Sequence, residues 1–273
     1  MGRTNDLRLW FSLKRLPFSD SLAAKDMFLR PALTEMAERV AFAVSSGYYY
    51  TVIGEVGAGK STALRYVASR LPAQRVQIID ITGGGWSFTE VLRQTMGKLG
   101  SPTRTGQPTT MLRTIYEGYS SIREGGKEPV VFIDEAHLFH PDVFSHLHLL
   151  SQPSLRDGKT APVVLCGQML LMERILSQYN KPLASRVVDG TNLRSMGIEE
   201  TREYIRHHLV TLCGADPGIM DENMMTMVAQ GSGGIPRQVN TLCLRAMQDA
   251  MEHGQRTIGV DNVRRASAKW WEA

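Results

Sequence analysis

A glycine-rich run at residues 54–61, with the sequence GEVGAGKS, fits the phosphate-loop pattern G-x-x-x-x-G-K-[ST]. Its glycines carry no Cβ, so successive backbone N–H groups can turn toward bound phosphate oxygens. Lys60 would reach the β and γ phosphates, and Ser61 would offer its hydroxyl to Mg²⁺. The run and the residue after it therefore predict an ATP site with these members: Gly54, Glu55, Val56, Gly57, Ala58, Gly59, Lys60, Ser61 and Thr62.

A second run, at residues 130–135, is apolar and ends in two carboxylates, Asp134 and Glu135. This is the pattern of a buried strand with an acidic tip. Asp134 would hold Mg²⁺ and its waters, and Glu135 would orient and activate the water that attacks the γ phosphate. Together with the phosphate loop, the pair predicts an ATPase that converts ATP to ADP and phosphate with the help of Mg²⁺.

Residues 134–137 read DEAH, a tetrapeptide that also occurs in a class of helicases. No run of the Q-x-x-G-R-x-G-R kind follows downstream, so we exclude a DEAH helicase. Several histidines lie in or after this segment, but no cysteine or additional carboxylate has a zinc-ligand spacing with them. We interpret them as solvated or phosphate-sensing side chains: His137, His140, His146 and His148.

Strand and helix patterns alternate around both runs. An aromatic and β-branched stretch at 48–53 precedes the phosphate loop, and apolar residues at helical spacing follow it at 61–71. Further strands are predicted at 76–81, 130–133 and 163–166. Helices are predicted from residue 31, from residue 87, near 110–123, at 143–150 and at 169–176. The helix that starts at Ser87 has Glu90 at the spacing of a capping box. This alternation predicts an α/β fold with three layers, a parallel sheet covered by helices on both faces, over residues 32–195.

Past about Met196 the strand signal fades, and helical patterns occupy 199–212, 221–230, 235–253 and 261–270. We predict a small helical lid over residues 196–273, ending in a C-terminal tail. Residues 1–31 mix basic and aromatic side chains and are interpreted as an N-terminal arm, either solvated or wrapped on the protein. In the tail, Trp270 and Trp271 would either hook a partner or neighbouring subunit or pack on the lid.

Composition is that of an ordinary globular chain. Its 273 residues are 42% hydrophobic, enough for a medium domain and a smaller one. A formal net charge of +4 and a pI of about 9.0 permit a nucleic-acid partner without requiring one. The three cysteines are far apart, which favours a reducing cytoplasm over a disulfide framework or metal knuckle. The longest apolar run near the N-terminus, residues 40–44, is too short for a bilayer, so we expect no membrane anchor.

Short motifs along the chain carry a resemblance to a known family. They are LPF at 16–18 followed by FL at 28–29, the phosphate loop itself, CGQ at 166–168 and GGIPR at 233–237. With these motifs the chain resembles the AAA+ ATPases, and among them the ExeA/GspA-like group, which includes transposition ATPases of the TniB, TnsC and MuB types. The resemblance spans roughly residues 16–250 and implies a P-loop AAA+ fold followed by the helical lid.

The resemblance also implies roles for residues outside the two runs. Gln168 would be the sensor 1 residue, although it replaces the asparagine or threonine of many AAA+ proteins, which leaves its contact with the attacking water open. Arg237 would be the sensor 2 arginine, aimed at the γ phosphate. Arg186, just before the expected fifth strand, would be the finger that completes a neighbouring subunit's site. Arg174 and Arg194 are rival fingers, and a plain surface arginine is an equal alternative for Arg186.

Two functions follow from the resemblance. In the first, ATP-bound subunits form a homo-oligomeric ring or helical filament on duplex DNA and recruit a transposase, and hydrolysis disassembles the assembly. Lys98, Arg104 and Arg113 would then contact DNA phosphates, the alternative being a solvated charged face. In the second, the chain is an ExeA-like secretion ATPase, which needs a membrane span and a peptidoglycan-binding region; we find neither up to Ala273. A weakly hydrolysing nucleotide-dependent adaptor is a third candidate, which the intact Glu135 disfavours.

Overall fold

The computed structural model describes residues 7–19, 22–101, 106–152 and 158–268. They form two compact units. The core unit comprises Pro31–Val56 and Lys60–Leu193, and the helical unit comprises the described residues of Met1–Arg30, Gly57–Gly59 and Arg194–Ala273. We describe each unit by itself.

The core unit is built on a five-stranded sheet in the order β2-β3-β4-β1-β5. Every pair of neighbouring strands is parallel, as the alternation of strand and helix predicts. The sheet therefore confirms the α/β prediction. Its strands are β1 (Tyr49–Gly54), β2 (Val76–Thr82), β3 (Glu128–Asp134), β4 (Val163–Gly167) and β5 (Val187–Leu193).

Helices pack against this sheet through apolar stripes of helical period. The first of them buries Leu33, Met36 and Val40 and ends before Gly47, whose φ of 74° suits a residue without Cβ. The helices of the core unit are α1 (Pro31–Ser45), α2 (Lys60–Arg70), α3 (Phe88–Lys98), α4 (Pro108–Glu124), α5 (Pro141–His146), α6 (Leu170–Leu176) and α7 (Lys181–Ala184).

Two details of the predicted helices are wrong. Ser87 occupies the N-cap of α3, but its side chain makes no capping hydrogen bond. Glu90 pairs instead with Arg93 and accepts a hydrogen bond from Gln94 at 2.9 Å, so the capping box does not form. The helix expected over 143–150 begins earlier, at Pro141, and changes after His146 into a 3₁₀ stretch, Leu147–Ser151.

The helical unit contains α8 (Ile198–Arg206), α9 (Glu222–Ser232), α10 (Pro236–Glu252) and α11 (Val260–Ala268). Helix α8 continues into a π-helical stretch, His207–Leu212. The longest helices of the described chain, α4 and α10, have 17 residues each. Within the described ranges no helix combines the length and the apolar character that crossing a membrane requires.

The core of the helical unit includes side chains from the N-terminal segment. Leu7, Phe11, Leu13 and Phe18 are buried together with apolar residues of α8 to α11. Phe18 stacks on His208, with ring centroids 5.0 Å apart, and burial lowers the pKa of His208 to about 3. Burying each such aromatic ring stabilises the unit by about 2 kcal/mol, so the described part of this segment is a structural component of the unit.

Candidate nucleotide-binding site

The carboxyl ends of β1, β4 and β3 meet at one edge of the sheet. Ile53 of β1 is paired with Gly167 of β4, and Leu165 of β4 with Ile133 of β3. The segments that leave these strands are the phosphate loop, the turn with the half-buried Gln168, and the acidic tip. This edge is where open parallel sheets bind their ligands.

Lys60 is the first residue of α2, and its side chain is buried in the loop it closes. Its Nζ donates hydrogen bonds to the carbonyl oxygens of Gly54 and Glu55, at 3.0 Å each. These bonds make burial of the ammonium group tolerable, and they use two of its three N–H donors. The third donor can serve a phosphate oxygen while the loop holds the ammonium in place.

Backbone conformation explains two of the loop glycines. Gly57 and Gly59 have φ angles of 80° and 89°, a region that side chains with Cβ rarely adopt. Ala58, between them, is buried. Within the helical unit the N–H of Arg237 donates to the carbonyl oxygen of Gly57 at 3.3 Å. A Cβ on Gly57 would lie 2.9 Å from the Cβ of Arg237, so glycine is also required by close packing.

The remaining loop residues are accessible to solvent to different degrees. Glu55, Val56 and Ser61 are exposed, and Thr62 is half-buried. The Ser61 hydroxyl and the Asp134 carboxylate are hard oxygen donors of the kind that Mg²⁺ prefers. The site residues therefore fit a magnesium ion held with a triphosphate.

The acidic tip combines a carboxylate on the strand with one in an unusual backbone conformation. Asp134 is the last residue of β3, and its Oδ1 accepts a hydrogen bond from the N–H of Glu135 at 2.8 Å. Glu135 has φ 51° and ψ 32°, the left-handed region. For a residue with Cβ this conformation costs about 1–2 kcal/mol, and such strain clusters at functional sites.

Gly83, the residue after β2, fixes the backbone of this tip. Its N–H donates to the carbonyl oxygen of Asp134 at 2.6 Å. A Cβ on Gly83 would lie 2.3 Å from the carbonyl oxygen of Glu135, so the close approach needs glycine. Gly83 is not among the site residues predicted from the sequence. Its place in a GGG run directly after a predicted strand is, however, a signal for close backbone approach.

His137 and Cys166 are buried groups that respond to the charges of the site. Burial lowers the pKa of His137; Glu135 opposes this shift, and Lys60 supports it. Burial raises the pKa of the Cys166 thiol, and Asp134 raises it further, while Lys60 opposes. The strand order brings the predicted lysine and acids to one edge of the sheet, because β4 pairs with both β1, which leads into the loop, and β3, which ends in Asp134.

The three candidate finger arginines differ in how their side chains are held. Arg186 directly precedes β5, is half-buried and donates to the carbonyl oxygen of Pro182 at 2.7 Å. Arg174 donates to the carbonyl oxygen of Phe139 and lies over the Phe144 ring, with its guanidinium carbon 5.4 Å from the ring centroid. Arg194 is exposed. Arg174 and Arg186 both make contacts within their own chain, so the identity of the finger arginine stays a prediction.

Two of the three residues predicted to contact DNA, Lys98 in α3 and Arg113 in α4, lie on the surface of these helices. The ammonium of Lys98 is 3.1 Å from Asp80, and the guanidinium of Arg113 is 3.7 Å from Glu117. Both pairs are exposed, and exposed pairs contribute at most about 1 kcal/mol, so either cation can exchange its partner for a phosphate. Arg104, Trp270 and Trp271 lie outside the described residues.

Comparison with known proteins finds similarity to one domain family and to one secretion protein. Residues 44–176 match the family model described as an AAA domain. The chain is 26% identical over 251 residues to general secretion pathway protein A of Aeromonas hydrophila, a match covering 91% of this chain and 46% of that protein. It therefore spans less than half the length of this relative.

Solved structures share the fold at low sequence identity. The Aeropyrum pernix ORC2 protein in its ADPNP–ADP complexes has a TM-score of 0.73 at 14% identity, covering 94% of this chain and 72% of that one. The ORC1 protein of the same organism, in complex with DNA, has a TM-score of 0.66 at 16% identity, covering 92% and 66%. Residues 44–176 thus match an AAA domain, the chain is similar to general secretion pathway protein A, and it shares the parallel α/β fold of the ORC proteins.

Proposed function

We propose that this protein binds ATP with Mg²⁺ and hydrolyses it to ADP and phosphate. The observation that carries the proposal is that the phosphate loop with Lys60 and the acidic tip with Asp134 and Glu135 follow the carboxyl ends of β1 and β3 at the same edge of the parallel sheet. A cation for phosphates, a metal ligand and a base are the parts that phosphoryl transfer to water requires.

Each residue has a distinct role in the proposed reaction. Mg²⁺, when bound, neutralises charge on the β and γ phosphates. Lys60 donates its remaining N–H to the triphosphate, while Ser61 and Asp134 supply oxygen ligands for the metal. Glu135 would accept a proton from the attacking water as the water oxygen bonds to the γ phosphorus, and the bond from that phosphorus to the oxygen bridging the β phosphate would break to release ADP. Arg237 and Gln168 are proposed to contact the γ phosphate and the attacking water, and Arg186 to act on a neighbouring subunit's nucleotide.

Calorimetry and phosphate release test this proposal. Lys60→Ala should weaken ATP binding by roughly 100-fold or more, because the buried ammonium is the loop's direct phosphate ligand. Lys98→Ala is the matched control, since it removes an exposed lysine that is paired with Asp80, and it should leave ATP binding unchanged. Failure of the folded wild-type chain to bind any adenine nucleotide would refute the proposal.

For the cellular role we propose a DNA-dependent regulator of transposition. ATP-bound copies would assemble as a ring or filament on duplex DNA and recruit a transposase, and hydrolysis would release them. The net charge of +4 supports contact with phosphates, and the fold likeness to the DNA-bound ORC1 protein is compatible with it. Lys98, Arg104 and Arg113 are the proposed contacts, and a cytoplasmic location goes with this role.

A second role is favoured by a separate observation. The relative matched over 91% of this chain is described as a general secretion pathway protein, which supports an ATPase that assembles a secretion apparatus. A weakly hydrolysing adaptor is the third candidate, and the presence of Glu135 disfavours it.

One assay separates the three roles. Phosphate release is measured with and without duplex DNA. Stimulation by DNA supports the transposition role, turnover indifferent to DNA supports the secretion role, and negligible turnover in both conditions supports the adaptor. A triple charge reversal, Lys98→Glu with Arg104→Glu and Arg113→Glu, should remove any stimulation while basal turnover persists. Unchanged stimulation in this variant would contradict the proposed contacts.

A further inference from the structure

His137 contains a buried polar atom without a hydrogen bond. The residue is 4% exposed, and its Nδ1 has no hydrogen-bond partner among the described residues. A buried donor or acceptor left unpaired is costly, and in native proteins such an atom calls for a functional explanation. The Glu135 carboxylate lies beside it, with Oε2 3.4 Å from Nδ1.

The backbone on both sides holds this ring beside the carboxylate. His137 lies in the 3₁₀ turn Ala136–Leu138, which directly follows the left-handed Glu135. On the other side the ring abuts Gly167, where a Cβ would lie 3.1 Å from Nδ1. Glycine at 167 therefore leaves room for the His137 ring. The 3₁₀ turn keeps His137 two residues from Glu135, so the ring stays close to the carboxylate.

We propose that His137 is a positioning residue for the catalytic base: its Nδ1–H donates to Glu135 and aims the carboxylate at the attacking water. This inference rests on the proposed ATP hydrolysis. In the present structure the two groups are close but not aligned, so a small rotation of the Glu135 side chain would complete the bond. Glu135 keeps a second oxygen to accept the water's proton.

A neutral imidazole suits this task better than a cation. A positive charge beside Glu135 would stabilise its ionised form and weaken it as a base. Burial lowers the pKa of His137, and the charges of Lys60 and Arg174 lower it further. A neutral ring can present one N–H to the carboxylate without adding charge.

Three substitutions at His137 test the inference. Asparagine places an amide nitrogen near the position of Nδ1, glutamine places it near Nε2, and alanine removes the donor. We expect kcat for ATP hydrolysis to fall about tenfold in His137→Ala and His137→Gln, a modest part of the roughly 10²- to 10⁴-fold that a positioned base contributes. His137→Asn should stay within about threefold of wild type.

Binding and stability measurements exclude a merely structural role. In all variants the KM and the calorimetric Kd for ATP should change by less than about twofold, because His137 touches neither the phosphates nor the metal. His140→Ala is the control, since this exposed histidine of the same segment pairs with Asp142 at 3.3 Å, away from Glu135, and should hydrolyse ATP normally. If His137→Ala does not fold, the asparagine and glutamine variants, similar in polarity and shape, still make the comparison.

Either of two results would overturn the inference. One is wild-type kcat in His137→Ala or His137→Gln; the other is an equal loss in the asparagine and glutamine variants accompanied by weaker ATP binding. Both differ from failure of the proposed function, in which the wild-type chain itself binds or hydrolyses no ATP.

Discussion

The phosphate loop and the acidic tip use the same rare backbone region in opposite ways. In the loop, the residues at positive φ are glycines, Gly57 and Gly59. In the tip, the residue at positive φ is Glu135, which carries a long side chain. In the proposed site the loop would act through backbone N–H groups and would need no side chain there, whereas the tip would act through a carboxylate that glycine cannot supply.

In the loop the glycines are themselves the residues at positive φ, whereas at the tip the glycines are the neighbours that make room for Glu135. At the tip, glycine occupies the neighbouring positions: Gly83 lies against the Glu135 carbonyl, and Gly167 lies against the His137 ring. The strained conformation of a functional residue is thus held by close contacts that only glycine neighbours permit. Four predictions test this contrast.

Glu135→Gln should have the largest effect. Glutamine is nearly isosteric but cannot accept the water's proton, so phosphate release should fall by roughly 10²- to 10⁴-fold. ATP binding, measured by calorimetry, should remain, because Lys60 and the loop amides are intact. Normal phosphate release by this variant would contradict the contrast between loop and tip, because the tip would then need no carboxylate.

Gly83→Ala should disturb the tip without removing a functional group. The new Cβ would lie 2.3 Å from the Glu135 carbonyl oxygen, so the backbone must shift. We expect a loss of about 2 kcal/mol in the free energy of unfolding, together with slower hydrolysis. Gly85→Ala is the control, because a Cβ there meets no atom within 4 Å. Equal stability and turnover in the two variants would show that Gly83 does not hold the tip.

The two loop glycines should differ in a stability measurement. Gly59→Ala meets open space and carries only the conformational cost of positive φ, about 1 kcal/mol. Gly57→Ala carries this cost and also crowds the Cβ of Arg237 at 2.9 Å, so its loss should be about 2 kcal/mol. Chemical denaturation of both variants measures the difference, and the reverse order would contradict the packing argument.

The smallest effect should reveal the strain at Glu135 directly. Glu135→Gly should be more stable than Glu135→Ala by about 1 kcal/mol, because glycine adopts the left-handed region freely. Glu117, exposed in the interior of α4, is the control: there glycine should be less stable than alanine by about 1 kcal/mol. If the glycine variant were less stable than the alanine variant at position 135 as well, Glu135 would not be strained.

The phosphate loop, the acidic tip and the parallel sheet could be predicted from sequence because each depends on residues close together in the chain. The loop needs glycines and a lysine at fixed spacing, and the strands need apolar runs of a few residues. The capping box at Ser87 could not be predicted in this way, because Glu90 has competing partners in Arg93 and Gln94. The roles of all the candidate site residues in ATP binding and hydrolysis stay predictions, those of Lys60 and Glu135 as well as those of Gln168, Arg186 and Arg237.

By itself, the sequence determined the chemical groups of the site: the lysine, the two carboxylates and the glycines that let amides face a phosphate. How the carboxylate is held depends on the tertiary fold, because Gly83, after β2, packs against the Glu135 carbonyl, and Gly167, at the end of β4, packs against the His137 ring in the turn that follows Glu135. Such contacts depend on strand order, β2-β3-β4-β1-β5, which no local pattern of residues encodes.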